Sequence, residues 1–141
     1  MCLDMGTGFR QAMTAADKTA SSTAAALVNF LGDVLPKKVY SDGSLEIKAA
    51  VAALQGGEGA TPHATSTPYR PQSNGSIERC IGVMVQHVRA VLHKSGLPRS
   101  FWALACRHWC TSANACGKST GDVSPWEKEV RRAIPCEAVA F

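Results

Sequence analysis

Long apolar runs are missing from this 141-residue sequence: none approaches the roughly eighteen consecutive residues that a membrane-crossing helix requires. The opening Met1-Cys2-Leu3-Asp4 has neither a basic start nor an apolar core, so it does not read as a signal peptide. Soluble, intracellular residence is therefore expected, with no membrane partner. In a reducing compartment the six cysteines (Cys2, Cys80, Cys106, Cys110, Cys116, Cys136) are expected as free thiols, although their number would permit pairing. Repeats and strong low-complexity segments are also missing, which leaves an ordinary globular chain as the default. Acids are nearly missing from the middle. Residues 59–121 carry seven cations (Arg70, Arg79, Arg89, Lys94, Arg99, Arg107, Lys118) and one acid, Glu78, a net of +6, while each flank comes to −1. A cationic region suits a polyanion such as a phosphate backbone, because Lys and Arg neutralise phosphates without regard to sequence. Solvated helix faces would account for the same charge count.

What is present has the length of one domain and 45% apolar residues, enough to bury a core without a staple. Gly6 and Gly8 permit a turn within residues 1–13, and the alternation of Phe9, Gln11 and Met13 predicts a hairpin there. Asp17 is placed as the N-cap of a helix carrying Ala20, Ala24, Leu27, Val28 and Leu31, stopped by Gly32 and Pro36. Lys37–Ser41 reads as a short strand that delivers Asp42 to its C-terminal end, where ligands gather in α/β sheets. A helix is predicted from Leu45 to about Leu54 and a strand within Thr61–Ser66. Two prolines and an Asn-Gly pair make Pro68–Gly75 a loop. The apolar stripe of Ile77, Ile81, Met84, Val88, Val91 and Leu92 predicts a long helix, with Glu78 off the stripe in its first turn. A further helix carries Phe101, Trp102, Leu104, Ala105, His108 and Trp109 to near Gly117, with the aromatics expected in the core. Residues 118–141 show no clear period and are expected as a C-terminal tail, with the folded domain spanning 1–117.

Two carboxylates, Asp42 and Glu78, have 35 residues between them, and Thr67-Pro68-Tyr69-Arg70-Pro71-Gln72-Ser73-Asn74-Gly75 leads directly into the second. This stretch, from Ser41-Asp42-Gly43 to Glu78-Arg79, resembles the catalytic core of retrotransposon integrases, most closely the copia type. Gly96-Leu97-Pro98-Arg99-Ser100-Phe101-Trp102 and Ser124-Pro125-Trp126-Glu127 are similar to further positions of that family, so the resemblance spans roughly residues 2 to 129.

The resemblance implies an α/β, RNase H-like fold: a mixed sheet flanked by helices, with three catalytic acids converging from two strand ends and one helix. It implies DNA integration by 3′-end processing and strand transfer, with element ends and target DNA as partners, a homo-oligomer as a further partner, and a nuclear place of work. Asp42 and Glu78 take the last two places of the acid triad and bind Mg²⁺ or Mn²⁺, hard cations that prefer carboxylate oxygen. Tyr69, Arg70, Gln72, Ser73, Asn74 and Arg79 are expected to touch DNA through phosphate and sugar. The family's first acid precedes a strand that Met1–Met13 resembles. Asp4 is therefore not expected to be catalytic, and the chain reads as starting after the family's first strand. Gly43-Ser44 stands where the family usually has Asn-Gly, and Ile81 and Gly82 replace polar or basic positions. A non-catalytic nucleic-acid-binding remnant of the same fold is the alternative.

Other clusters have plainer readings. The spacing of Cys106, His108, Cys110 and Cys116 matches no common zinc pattern, so these cysteines are expected to pack as small apolar side chains. His87 and His93 lie on different faces of their helix and are expected at the surface. His63 is expected in a structural role.

Overall fold

The computed structural model describes residues 1–32, 36–54, 61–65, 75–117 and 123–133. The chain divides into two compact units, Met1–Met13 with Cys80–Phe141, and Thr14–Arg79.

The first unit opens with strands β1 (Cys2–Leu3) and β2 (Arg10–Gln11), paired antiparallel with Cys2 opposite Gln11. Asp4 organises the turn between them. Its Oδ1 accepts from the Gly6 amide at 3.0 Å and its Oδ2 from the Thr7 hydroxyl at 2.7 Å. Gly8 closes the turn at φ 77°, a conformation that side-chain-bearing residues rarely adopt. The far edge of β2 is completed by a side chain rather than a strand: buried Asn114 accepts from the Arg10 amide at 3.0 Å and donates to the Arg10 carbonyl at 2.8 Å. A primary amide presents one donor and one acceptor side by side, so it satisfies both backbone groups at once.

Asn114 lies on α4 (Trp102–Cys116), which follows α3 (Gly75–Ser95) after a 3-10 turn at Arg99–Phe101. The core of the unit draws Cys80 and Val88 from α3, and Ala105, Cys106, Trp109 and Cys110 from α4, with Ala12 beside them. Three of these seven are cysteines acting as small apolar groups, Cys106 and Cys110 as expected and Cys80 with them, whereas Cys116, also expected to pack, is exposed; Cys2, Cys80, Cys106, Cys110 and Cys116 are free thiols. Trp109 is 5% exposed, but Trp102 is 54% and Phe101 40% exposed, so only one of the three expected core aromatics on this segment is in the core. The helical period turns Trp109 onto the stripe of Ala105 and Cys106, whereas Phe101 belongs to the 3-10 turn before the α-helix is established. On α3 the stripe is displaced in the same way: Cys80 is buried while Ile81 is exposed.

Residues 125–133, expected as part of a tail, form α5 (Pro125–Ala133). The reason is a capping box. Ser124 Oγ accepts from the Glu127 amide at 3.2 Å, while Glu127 Oε2 accepts from the Ser124 amide at 2.9 Å, and Pro125 begins the helix with its φ already set. The helix is then tied down by Trp126 against the edge of Phe9, 6.0 Å between centroids, and by Glu129 Oε2 at 3.1 Å from the Thr7 hydroxyl.

In the second unit, α1 (Ala20–Leu31) packs on α2 (Leu45–Leu54), whose Ala50 and Val51 are its buried residues. The N-cap of α1 is Thr19, not Asp17: Thr19 Oγ1 accepts from the Ser22 amide at 3.2 Å. Asp17 stands just outside and accepts from the Thr19 amide and hydroxyl and from the Ser22 hydroxyl. A threonine hydroxyl reaches back to the first free amides of the helix from the cap position, which Asp17 two residues earlier does not occupy. Val28, expected on the packed stripe, is exposed. Strands β3 (Val39–Ser41) and β4 (His63–Thr65) pair in parallel, Val39 opposite His63 and Ser41 opposite Thr65. Among the described residues the strands thus form two two-stranded sheets, one antiparallel and one parallel, where a single mixed sheet was expected.

Trp109→Ala should cost about 3–5 kcal/mol in thermal or denaturant unfolding, because it empties the centre of the first unit; Trp102→Ala should cost about 1 kcal/mol or less. The Ser124 amide and hydroxyl hold the Glu127 carboxyl below its ordinary value. A carboxylate with a depressed folded pKa stabilises above its unfolded value and stops doing so as pH falls through the folded one. Protection of the amides in 124–133, taken relative to their intrinsic exchange rates, should accordingly fall from about pH 4.5 downward, and that fall should be absent in Glu127→Gln.

Candidate functional site

β3 ends at Ser41, and the next residue is Asp42. The chain must leave the strand and enter α2 within three residues, and Asp42 makes that turn. Its Oδ1 accepts from the Ser44 amide at 3.2 Å, and the Ser44 carbonyl then accepts from the Lys48 amide at 3.2 Å to open the helix. The carboxylate is exposed. Asp42 therefore has a local structural duty and still presents its charge to solvent at the C-terminal end of a parallel strand.

Glu78 sits in the first turn of α3 and is exposed, as is Arg79 beside it. The positive end of the helix dipole favours a carboxylate in that position. Asp42, Glu78 and Arg79 all belong to the unit Thr14–Arg79. Tyr69, Arg70, Gln72, Ser73 and Asn74 lie outside the described residues.

Asp4 belongs to the other unit, where its two oxygens are engaged in the β1–β2 turn.

Two residues near Asp42 gain a definite place. Ser41 Oγ donates to the Asp42 carbonyl at 2.7 Å, and His63 Nε2, from β4, lies 2.9 Å from the same Oγ. Ser41 escaped the sequence reading because nothing local marks it. Its partner is 22 residues away and is brought beside it by strand pairing alone. Ser44 Oγ is buried without a hydrogen-bond partner.

A hard divalent cation takes oxygen donors and keeps several waters. Asp42 and Glu78 suit it in kind, since both are exposed carboxylates. Among the described residues no group of three His, Cys, Asp or Glu side chains is placed to hold an ion, so these residues contribute a pair of ligands at most. The cysteine and histidine positions on α4 do not form such a group either. Burial pushes the thiols of Cys80, Cys106 and Cys110 above their ordinary value, with Arg10 opposing the rise at Cys80. His108 instead faces His87 across the α3–α4 seam, 6.5 Å between ring centroids.

A hollow of about 640 Å³ lies between α4 and α5 beside Cys116 and Trp126, and a groove of about 220 Å³ lies beside Leu92 and Leu104, both in the first unit.

No family model matches the chain, and no curated protein does. Solved structures do. The catalytic core domain of BIV integrase superposes with a TM-score of 0.64 at 18% identity, over 93% of this chain and 84% of that one. A chain of the simian T-cell lymphotropic virus intasome, solved in complex with PP2A regulatory subunit B56 gamma, gives a TM-score of 0.66 at 21% identity over 89% of this chain. The match spans 45% of that second chain. The protein is thus a mixed α/β chain, with helices and small sheets, that shares the fold of retroviral integrase catalytic cores.

Asp42→Asn keeps the Oδ1 acceptor and should melt with the parent protein, while Asp42→Ala should lose about 0.5–1 kcal/mol through the broken turn. Equal melting of Asn and Ala variants in calorimetry would show that the Ser44 bond contributes nothing.

Proposed function

We propose that this chain is an integrase catalytic core of the copia retrotransposon type, RNase H-like in fold, which acts on DNA inside the cell and, in the intact element, in the nucleus. The observation that carries the proposal is the placement of two exposed acids, Asp42 at a parallel strand end and Glu78 in a helix first turn, on a fold shared with retroviral integrase cores. Asp42 and Glu78 would hold Mg²⁺ or Mn²⁺, which when bound activates the attacking hydroxyl and stabilises the leaving oxygen of a phosphodiester. Arg79 follows Glu78 directly, so a DNA backbone brought to the acid would meet a cation beside it. Tyr69, Arg70, Gln72, Ser73 and Asn74, with this arginine, would supply the grip on phosphate and sugar, and assembly into a homo-oligomer would bring two DNA ends together.

A second reading, a DNA-binding remnant without catalysis, is favoured by one observation: the described residues provide no three-ligand metal group. Both readings require affinity for DNA that falls steeply with salt, since phosphate contacts release counterions.

A labelled duplex incubated with Mg²⁺ or Mn²⁺ separates them. The enzyme reading expects nicking and strand transfer that disappear in Glu78→Gln, with DNA binding kept. The remnant reading expects neither product from the parent or the variant. DNA binding that is absent, or indifferent to salt between about 50 and 200 mM, would dispose of both.

A further inference from the structure

We propose that His63 is a positioning residue for Asp42, acting through the Ser41 hydroxyl. The inference rests on the assignment of Asp42 as an acid of the DNA-processing site.

Register brings the three together. Val39 pairs with His63 and Ser41 with Thr65, and residues two apart on a strand share a face, so the imidazole on β4 and the hydroxyl on β3 lie on the same side of the ladder. The ring bridges the remaining step, leaving Nε2 2.9 Å from Ser41 Oγ.

Proton counting then settles the direction of each bond. A serine hydroxyl has one proton and two lone pairs. Ser41 Oγ stands 2.7 Å from the Asp42 carbonyl oxygen, which only accepts, so the single proton is committed there. Towards His63 the hydroxyl must therefore accept, and Nε2 must carry the hydrogen. The chain of donors runs His63 Nε2–H to Ser41 Oγ–H to the Asp42 carbonyl. Were the ring protonated on Nδ1 alone, the serine proton would turn to Nε2 and the Asp42 carbonyl would be released. The tautomer of His63 thus decides whether the peptide after Asp42 is held.

That peptide has little else to hold it. Asp42 and Gly43 are exposed, and a side chain added at Gly43 would meet nothing within 4 Å. Among the described residues the turn is held by a hydrogen bond on the Asp42 carbonyl and one on its Oδ1 from the Ser44 amide. Losing the first frees rotation on the N-terminal side of Gly43 and lets the carboxylate wander. Groups that orient a ligand without touching its partner commonly change affinity by about tenfold or more when removed.

The test uses the full chain and three variants: His63→Gln, whose side-chain amide places a donor near the Nε2 position; His63→Phe, which keeps the ring and removes the donor; and Ser41→Ala. Long-range ¹H–¹⁵N NMR should find His63 protonated on Nε2. The Asp42 carbonyl ¹³C shift should move fully in Ser41→Ala, part of the way in His63→Phe, where Ser41 keeps its proton and loses only the donor that fixes its rotamer, and stay near the parent value in His63→Gln. Binding of Mn²⁺ alone should weaken about tenfold in Ser41→Ala, by less in His63→Phe, and remain close to parent in His63→Gln. A bare Nε2 in the parent protein, or an Asp42 carbonyl shift unmoved by His63→Phe, overturns the proposal. Mn²⁺ binding that is unchanged in Asp42→Asn would instead remove Asp42 from the metal assignment, and the carbonyl shifts would still decide whether His63 holds it.

Discussion

Parallel strands cannot be joined by a tight turn, so the pairing of Val39–Ser41 with His63–Thr65 obliges the chain to cross over through α2. The candidate site depends on that constraint. The crossover makes the chain turn sharply out of β3, and Asp42 is the residue that executes the turn, with its carboxylate accepting the Ser44 amide. The same pairing carries His63 to Ser41, so the group that orients the turn arrives from the strand the crossover leads to. A ladder only three residues long therefore sets the position of an acid and supplies its support.

The other unit is held by different means. Its hairpin has one strand edge filled by Asn114, whose amide imitates the backbone of a missing neighbour. Arg10 lies above Trp109, 5.5 Å from the ring centroid, and its Nη1 is 3.8 Å from Cys80 Sγ, so a charged residue closes the edge of a core made largely of thiols and one indole. Guanidinium is weakly hydrated and planar, which is why it tolerates that place where an ammonium would not. Thr7 links this hairpin to α5 through Glu129, and the capping box at Ser124 fixes where α5 begins.

Arg79, Arg89, Lys94, Arg99 and Arg107 are all exposed, and no acid occurs between Arg79 and Gly117. Glu78 precedes this run as its one carboxylate, in the first turn of α3, where the positive end of the helix dipole favours it.

Helix positions were legible because their signals are local. The periodic apolar residues of α1 to α4 and the Gly32, Gly96 and Gly117 stops were visible in the chain, as was the strand that delivers Asp42. The capping box Ser124-x-x-Glu127 was also visible in principle. A nine-residue helix is marginal by itself, so α5 depends on the packing of Trp126 against Phe9, which the sequence does not display. Asp17 and Thr19 stand two residues apart and both suit a cap, so only geometry separates them. Trp102 and Trp109 have the same composition and nearly the same helix, and burial distinguishes them through which side α3 occupies. The sequence by itself determined which residues bear charge, where the chain must turn and which motif precedes Glu78, since these follow from covalent order and local preference. Only the tertiary structure decided that His63 meets Ser41, that Asn114 completes β2 and that α5 folds back, because each joins residues distant along the chain whose contact exists only after strands and helices have packed.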